Sequence, residues 1–170
     1  MTNDVRIERL DNKHNRKLFD CGEDALNIYL RNQAGQEVKK FISSTYVAVS
    51  KEEDSTEVMG FYTLSAAQIE FTGLPIEIAQ SLPRYPFLPA YRIGRLAVSI
   101  KNQEMGIGKK LLIDALLKCY SNEIRGFSVI VDATNEKVVS FYTKYGFIQF
   151  PNQPLKLFMP MKVIRNLFVE

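Results

Sequence analysis

Apolar positions along the chain change period several times, and each change marks an element. Ile107, Leu111, Leu112, Ala115, Leu116 and Cys119 recur at three- and four-residue steps, while Lys109, Lys110, Asp114 and Lys118 fall largely off that stripe. This spacing predicts an amphipathic helix with one buried face. Ala25, Leu26, Tyr29, Leu30 and Gln33 repeat similarly from a start near Glu23, with Asp20 and Asp24 near its positive end and Gly35 interrupting it. Other segments have the strand period. Val5 to Arg9 predicts a short first strand, Thr45 to Ser50 is rich in β-formers, and Val58 to Phe71 alternates over a longer span. The charged turn KEEDST makes the last two an antiparallel hairpin.

Residues 72–91 carry four of the seven prolines, which predicts a short helix and an irregular crossover. Tyr91 to Ser99 is the expected central strand, and Phe127 to Val131 is a continuous apolar run of the kind buried in a parallel pair. With the Gly106 to Tyr120 helix between them, the two strands form a βαβ unit. Asn135 opens another helix that stops at Gly146, and Phe147 to Phe150 with Lys156 to Met161 suggest a closing hairpin. The residues after Met161 read as an exposed tail. No repeat, low-complexity tract or linker divides the sequence, so an α/β (α+β) protein with a single domain over residues 1–170 is expected.

Composition narrows the chemistry. A hydrophobic fraction of 46% is that of a soluble globular protein. No apolar run approaches the roughly 20 residues that span a bilayer, and the first residues lack a signal-peptide core, so no membrane association and a cytoplasmic location are expected. Cys21 and Cys119 are far apart and His14 is the only histidine, which argues against a zinc site or a histidine-dependent nucleophile; no metal is expected. The net charge of +3 is mild. Its grouping is informative: Lys101, Lys109 and Lys110 surround one loop, Lys13, Arg16 and Lys17 cluster near the start, and Lys39 and Lys40 follow the first helix. Solvated surface charge explains each group as readily as a ligand does.

The loop among the first three lysines is the most informative segment. An apolar strand, Arg95 to Ser99, leads through a glutamine and the alternating glycines Gly106 and Gly108 into the amphipathic helix. Such a turn leaves N–H groups uncovered at a helix start, where the dipole also favours an anion; it can cradle a pyrophosphate. Other nucleotide sites and plain tight turns use the same device.

Gln103-Glu104-Met105-Gly106-Ile107-Gly108 resembles the (R/Q)-x-x-G-x-(G/A) signature of the GCN5-related N-acetyltransferases, the GNAT family. Arg95-Leu96-Ala97-Val98 resembles the strand before that loop, and Ser140-Phe141-Tyr142-Thr143-Lys144-Tyr145-Gly146-Phe147 resembles the family's A-x-x-F-Y-x-x-x-G-F block. The resemblance implies the GNAT fold: one mixed, mostly antiparallel sheet of about six to seven strands with a central parallel pair, flanked by about four helices. It implies acetyl-CoA as cofactor. Its pyrophosphate would lie on Gln103, Glu104, Met105, Gly106, Ile107, Gly108, Lys109 and Lys110, and its pantetheine arm along the backbone of Leu96, Ala97 and Val98. The Val98 N–H would polarise the thioester carbonyl. Tyr142 would be the general acid for the departing thiolate, with Asn135 and Tyr145 also at the cofactor. A phenol with an ordinary pKa of about 10 remains protonated at neutral pH and can donate to a thiolate. Two residues keep a structural alternative: Tyr142 as a packed amphipathic side chain and Asn135 as a plain helix cap.

The similarity reaches further. Phe19 to Leu30, Gly60 to Ala66, Leu82 to Pro86 and Gly94 to Val98 together resemble the acetyltransferase toxins of bacterial type II toxin-antitoxin systems. This implies an aminoacyl-tRNA substrate acetylated on its α-amino group, inhibition of translation and a ribbon-helix-helix antitoxin; the sequence admits a homodimer but does not identify the oligomeric state. Arg84, Arg92 and Arg95, with the Lys13 to Lys17 group, are the candidate tRNA contacts, and Arg95 fits an ion pair equally well. No Asp or Glu occurs in Tyr91 to Ser99, where relatives often place a base; Ser99 stands at the position in question. An α-amino group with a pKa of about 7.7 to 8.0 has less need of a strong base than a lysine at about 10.4. Transfer to a small amine, peptide or protein, or a binding module without turnover, are the alternatives.

Overall fold

The computed structural model describes residues 4–52 and 54–169. Seven strands form a mixed sheet in the order β1-β2-β3-β4-β5-β7-β6. The chain divides into two compact units, one of residues up to 65 with 94–115, the other of residues 66–93 with those from 116 on.

In the first unit, β1 (Val5–Arg9) pairs antiparallel with β2 (Ser44–Ser50), Val5 opposite Ser50, and β2 pairs antiparallel with β3 (Gly60–Glu70), Ala48 opposite Gly60. Between β1 and β2, α1 (Asp24–Ile28) passes through a π-helical turn at Tyr29–Gln33 into α2 (Ala34–Lys39). Gly35 therefore does not end the helix. The burial of Tyr29, Leu30 and Ala34, at 1%, 0% and 0% exposure, holds the helical path across it. These three pack with Phe19, Val47, Val49, Val58, Phe61 and Ala97 in one core, and apolar burial of this kind stabilises by about 1.5–3 kcal/mol per large side chain. Gly60 lets a strand and a helix close on β3. A Cβ there would meet the Ala97 carbonyl oxygen and Leu111 Cδ1 at 3.0 Å each.

In the second unit, Ala90 to Ile93 of β4 (Phe87–Val98) run parallel to Ser128 to Val131 of β5 (Ser128–Asp132), the one parallel strand pairing expected from the βαβ pattern. β5 continues antiparallel to β7 (Gln153–Pro160), which pairs antiparallel with β6 (Ile148–Phe150). Ile69, Leu74, Leu88, Ala90, Ile130, Phe150 and Phe158 form this unit's core. The helices are α3 (Ile76–Ala79), α4 (Ile107–Ser121), α5 (Glu136–Lys144) and α6 (Met161–Phe168), with the start of α4 in the first unit.

Two boundaries differ from the sequence expectation. β4 starts at Phe87, inside the proline-rich stretch: Leu88 and Ala90 are buried while Phe87 and Pro89 are exposed, the strand period prevailing over the proline signal. The Pro89 carbonyl accepts from Phe127 N–H at 2.7 Å. The presumed tail after Met161 is α6, which buries Ile164 completely and stacks Phe168 on Tyr120 at 6.0 Å. Counting α1 to α2 as one, five α-helical stretches occur among the described residues, in line with the expected architecture of about four, and α6 stands where a tail was expected.

Candidate active site

The end of β4 and the start of α4 lie together in the first unit. Ala97 is buried, and Leu96 and Val98 are half-buried. After Val98 the chain turns through a 3₁₀ segment, Ile100–Asn102, and its course is fixed by three hydrogen bonds: Ser99 N–H to Met59 O at 2.9 Å, Ile100 N–H to Asp20 O at 2.8 Å, and Asn102 Nδ2 to Ser99 Oγ at 2.6 Å. Ser99 is 3% exposed, so the residue in the position of a base is a buried brace. Gln103 spans the loop. Its Nε2 donates to Val98 O at 2.9 Å and to Cys21 O at 3.2 Å.

Glu104 and Gly106 both take left-handed backbone, at φ 64° and 83°. A Cβ on Gly106 would meet nothing within 4 Å, so conformation rather than crowding calls for glycine here. The Gly106 carbonyl accepts from Lys110 N–H at 3.2 Å, the first i to i−4 bond of α4. The N–H groups of Ile107, Gly108 and Lys109 precede that bond and have no carbonyl of their own helix to meet. Ile107 is 1% exposed and pins the turn, whereas Glu104, Met105, Gly106, Lys109 and Lys110 are exposed. This arrangement fits a pyrophosphate: open space over glycine, N–H groups without a carbonyl of their own helix, and the positive end of a fifteen-residue helix.

Asn135, Tyr142 and Tyr145, the other residues expected at the cofactor, lie in the second unit. Asn135 Oδ1 accepts from Val138 N–H at 3.0 Å, the geometry of an N-cap on α5. Tyr142, seven residues on, is 4% exposed and sits edge-on to Phe141 and Phe147, with centroids 5.1 and 5.2 Å away. Tyr145 stacks edge-on to Phe141 at 5.2 Å. Burial raises the Tyr142 phenol well above its usual pKa, which keeps its proton in place. Among the described residues its hydroxyl makes no hydrogen bond. The helix ends in a turn where Gly146 takes φ 101°.

The expected tRNA contacts have different surroundings. Arg84 is exposed, and Arg92 pairs with Asp132 at 3.3 Å. Arg95 lies 3.6 Å over the Tyr29 ring, so its partner in the first unit is an aromatic face rather than a carboxylate. His14 is buried: its Nδ1 accepts from Asp11 N–H at 3.0 Å and its Nε2 contacts Glu8 Oε1 at 2.7 Å. The sequence reading did not single out Arg31, whose Nη1 reaches Lys17 O at 3.4 Å. Helical spacing alone could not find it, because the π-turn shifts the facing of residues after Tyr29. Among the described residues there is no group of three or more His, Cys, Asp or Glu side chains that could hold a metal, and no helix is long and apolar enough to cross a membrane.

A mixed sheet with one parallel pair, and a glycine turn that opens the helix after the first of those two strands, make an α/β protein with a phosphate-type site at the start of α4. Residues 29–163 match the acetyltransferase (GNAT) domain, and the chain belongs to that family. It is 30% identical over 171 residues to the probable toxin TacT of Sinorhizobium fredii, covering 95% of this chain and 93% of that one. It is also 30% identical over 151 residues to the tRNA-acetylating toxin of Mycobacterium tuberculosis, covering 88% and 87%. Among solved structures, AtaT complexed with acetyl-methionyl-tRNAfMet matches with a TM-score of 0.89 and 31% identity, covering 98% of this chain and all of that one. AtaTR bound with acetyl-CoA matches at 0.84 and 32%, covering 99% and 100%. AtaT bound to the C-terminus of the antitoxin AtaR matches at 0.83 and 28%, covering 99% and 100%.

Proposed function

We propose that the protein is a toxin that transfers the acetyl group of acetyl-CoA to the α-amino group of aminoacyl-tRNA and so inhibits translation. The observation that carries the donor side is the exposed N-terminus of α4, where Ile107, Gly108 and Lys109 present N–H groups beyond a glycine turn. The acceptor side is supported by likeness to the tRNA-acetylating toxin and to AtaT complexed with acetyl-methionyl-tRNAfMet.

When bound, acetyl-CoA supplies an acyl group activated as a thioester. Residues Gln103 to Lys110 would hold its pyrophosphate, the glutamine by fixing the loop and the glycines by leaving the backbone open. The Leu96 to Val98 backbone would orient the pantetheine arm, and the Val98 N–H would donate to the acyl oxygen. Tyr142 keeps a proton at Oη that it would give to the departing thiolate; Asn135 acts by starting α5, and Tyr145 would line the cofactor. An α-amino acceptor already has a neutral fraction near pH 7.7 to 8.0, roughly its own pKa, so it can react without a carboxylate on β4. Arg84 and Arg92 contact the tRNA; Arg95 acts by packing on Tyr29. The partner is an antitoxin, a reading supported by AtaT bound to the C-terminus of the antitoxin AtaR; its ribbon-helix-helix type rests on the sequence resemblance alone.

Incubating the protein with labelled acetyl-CoA and a full set of charged tRNAs tests this reading. Label on the aminoacyl moiety of one or more isoacceptors is expected. Label only on small amines, peptides or proteins would move the assignment to another acceptor.

A further inference from the structure

We propose that Gly60 and Tyr62 of β3 are positioning residues of the donor site: they fix how α4 sits on the sheet, and so the direction of the N–H groups offered to the pyrophosphate of acetyl-CoA. The inference rests on the pyrophosphate site proposed above. The first two turns of α4 meet β3 at Gly60, where a Cβ would stand 3.0 Å from Leu111 Cδ1, 3.5 Å from Ile107 Cγ2 and 3.0 Å from the Ala97 carbonyl oxygen. The Gly60 backbone is ordinary strand, so close approach rather than conformation calls for glycine here, the reverse of Gly106. Ile107 opens α4, and its own N–H is one of the three without a helical carbonyl. Whatever moves its side chain moves the cradle.

Tyr62 supplies a second fixed point. It lies two residues along β3 on the same face as Gly60, and its hydroxyl donates to Asp114 Oδ2 at 2.6 Å. The ring is fully buried and stacks on Tyr46 with centroids 5.1 Å apart, so the hydroxyl comes from a rigid support. Asp114 is seven residues beyond Ile107, two turns and about 10 Å along the helix. A helix held at one point can pivot, whereas contacts at both places set its tilt.

The strand side of the contact yields less readily. Ser99 N–H donates to Met59 O at 2.9 Å beside Gly60, and Gln103 Nε2 holds Val98 O at 2.9 Å. On the helix side, Leu111 is fully buried and Ile107 is 1% exposed, so neither side chain has room to swing aside. A methyl group at Gly60 therefore displaces the start of α4 and leaves the Leu96 to Val98 backbone in place. Hydrogen bonds to an anion weaken as their angles open, so a small tilt of α4 is felt at the pyrophosphate before it is felt in the fold.

The test compares CoA with pantetheine, which ends before the pyrophosphate. Displacement of a fluorescently labelled CoA by each is measured on the full chain for wild type, Gly60→Ala, Gly60→Ala/Leu111→Val and Tyr62→Phe, with thermal melts on the same preparations. Gly60→Ala should lower CoA affinity about tenfold, the equivalent of one hydrogen bond to a charged group, and pantetheine affinity less than about twofold. Adding Leu111→Val removes the carbon that the new methyl group meets and should restore most of the CoA affinity. Tyr62→Phe keeps the ring and should give a smaller loss of the same kind, roughly threefold; it decides the matter if Gly60→Ala does not fold. Equal losses for CoA and pantetheine, or a lower Tm with the CoA-to-pantetheine ratio unchanged, would overturn the proposal. Wild type that binds CoA no better than pantetheine would instead remove the pyrophosphate from α4 and take both readings with it, so the two failures are told apart.

Discussion

The side-chain nitrogen of Gln103 donates to the carbonyl of Val98 at 2.9 Å and to that of Cys21 at 3.2 Å. One side chain thus joins the end of β4, the loop before α1 and the turn that opens α4. Gln103→Ala removes both bonds, each worth about 1 kcal/mol net. At about 2–4 °C per kcal/mol for a chain of this size, Tm should fall by several degrees. Acetyl-CoA should also bind more weakly, because the N–H groups of Ile107 to Lys109 lose their fixed direction. Gln103→Glu should be worse, since a carboxylate would face two carbonyl oxygens. Thermal melts with calorimetric titration of acetyl-CoA check this; lower Tm with unchanged affinity would assign Gln103 to stability alone.

Gly106 separates strain from contact. Its φ of 83° costs an ordinary L-residue roughly 1–2 kcal/mol, while the space beside it is open. Gly106→Ala should therefore fold with a modest loss of stability. Acetyl-CoA affinity should drop by more than the stability change, because relaxing φ rotates the peptide groups that face the pyrophosphate. Equal binding by wild type and variant would remove this turn from the cofactor site.

Tyr142→Phe should leave both Tm and acetyl-CoA affinity nearly unchanged. The hydroxyl makes no hydrogen bond among the described residues, and the ring contacts with Phe141 and Phe147 remain. Turnover should fall by about 10²- to 10⁴-fold, the range for loss of a positioned acid. Burial holds the phenol protonated beyond its usual range, so the wild-type rate should show no decline between pH 7 and 9 from this group. Single-turnover rates across that interval measure both effects; full activity in the variant would return Tyr142 to a packing role.

Much of this site is written locally in the sequence, and what escapes reading is long-range. The glycine turn, the stripe from Ile107 to Cys119 and the cap at Asn135 depend on neighbours within a few residues, so spacing reveals them. Gly35 misleads because glycine weakens a helix by only about 1 kcal/mol, less than the burial of Tyr29, Leu30 and Ala34 returns. Pro89 misleads similarly, since the alternation of Phe87 to Ala90 decides the strand. The partners of Gln103, Arg95 and Arg16 lie in other elements, and no local pattern announces them.

Cys119 makes the protein sensitive to alkali in a way that can be isolated. Its thiol is 3% exposed on α4, and burial pushes its pKa to about 12. In the unfolded chain a thiol ionises near about 8.5. The folded state therefore holds this proton more tightly, and its contribution to stability is complete below about pH 8.5 and lost as pH rises toward 12. Within that window the unfolded state binds fewer protons, so stability falls with a slope approaching about 1.4 kcal/mol per pH unit for one group. Cys21, Tyr29, Tyr91 and Tyr142 are shifted in the same direction by burial, so total slopes mix these groups. Cys119→Ala isolates one of them. The variant should start less stable at pH 7, because it leaves a small cavity against Leu116 and its neighbours on the buried face. It should then lose less stability than wild type between pH 8.5 and 10 in urea titrations. Parallel stability curves for the two proteins would mean that the Cys119 thiol ionises as readily folded as unfolded.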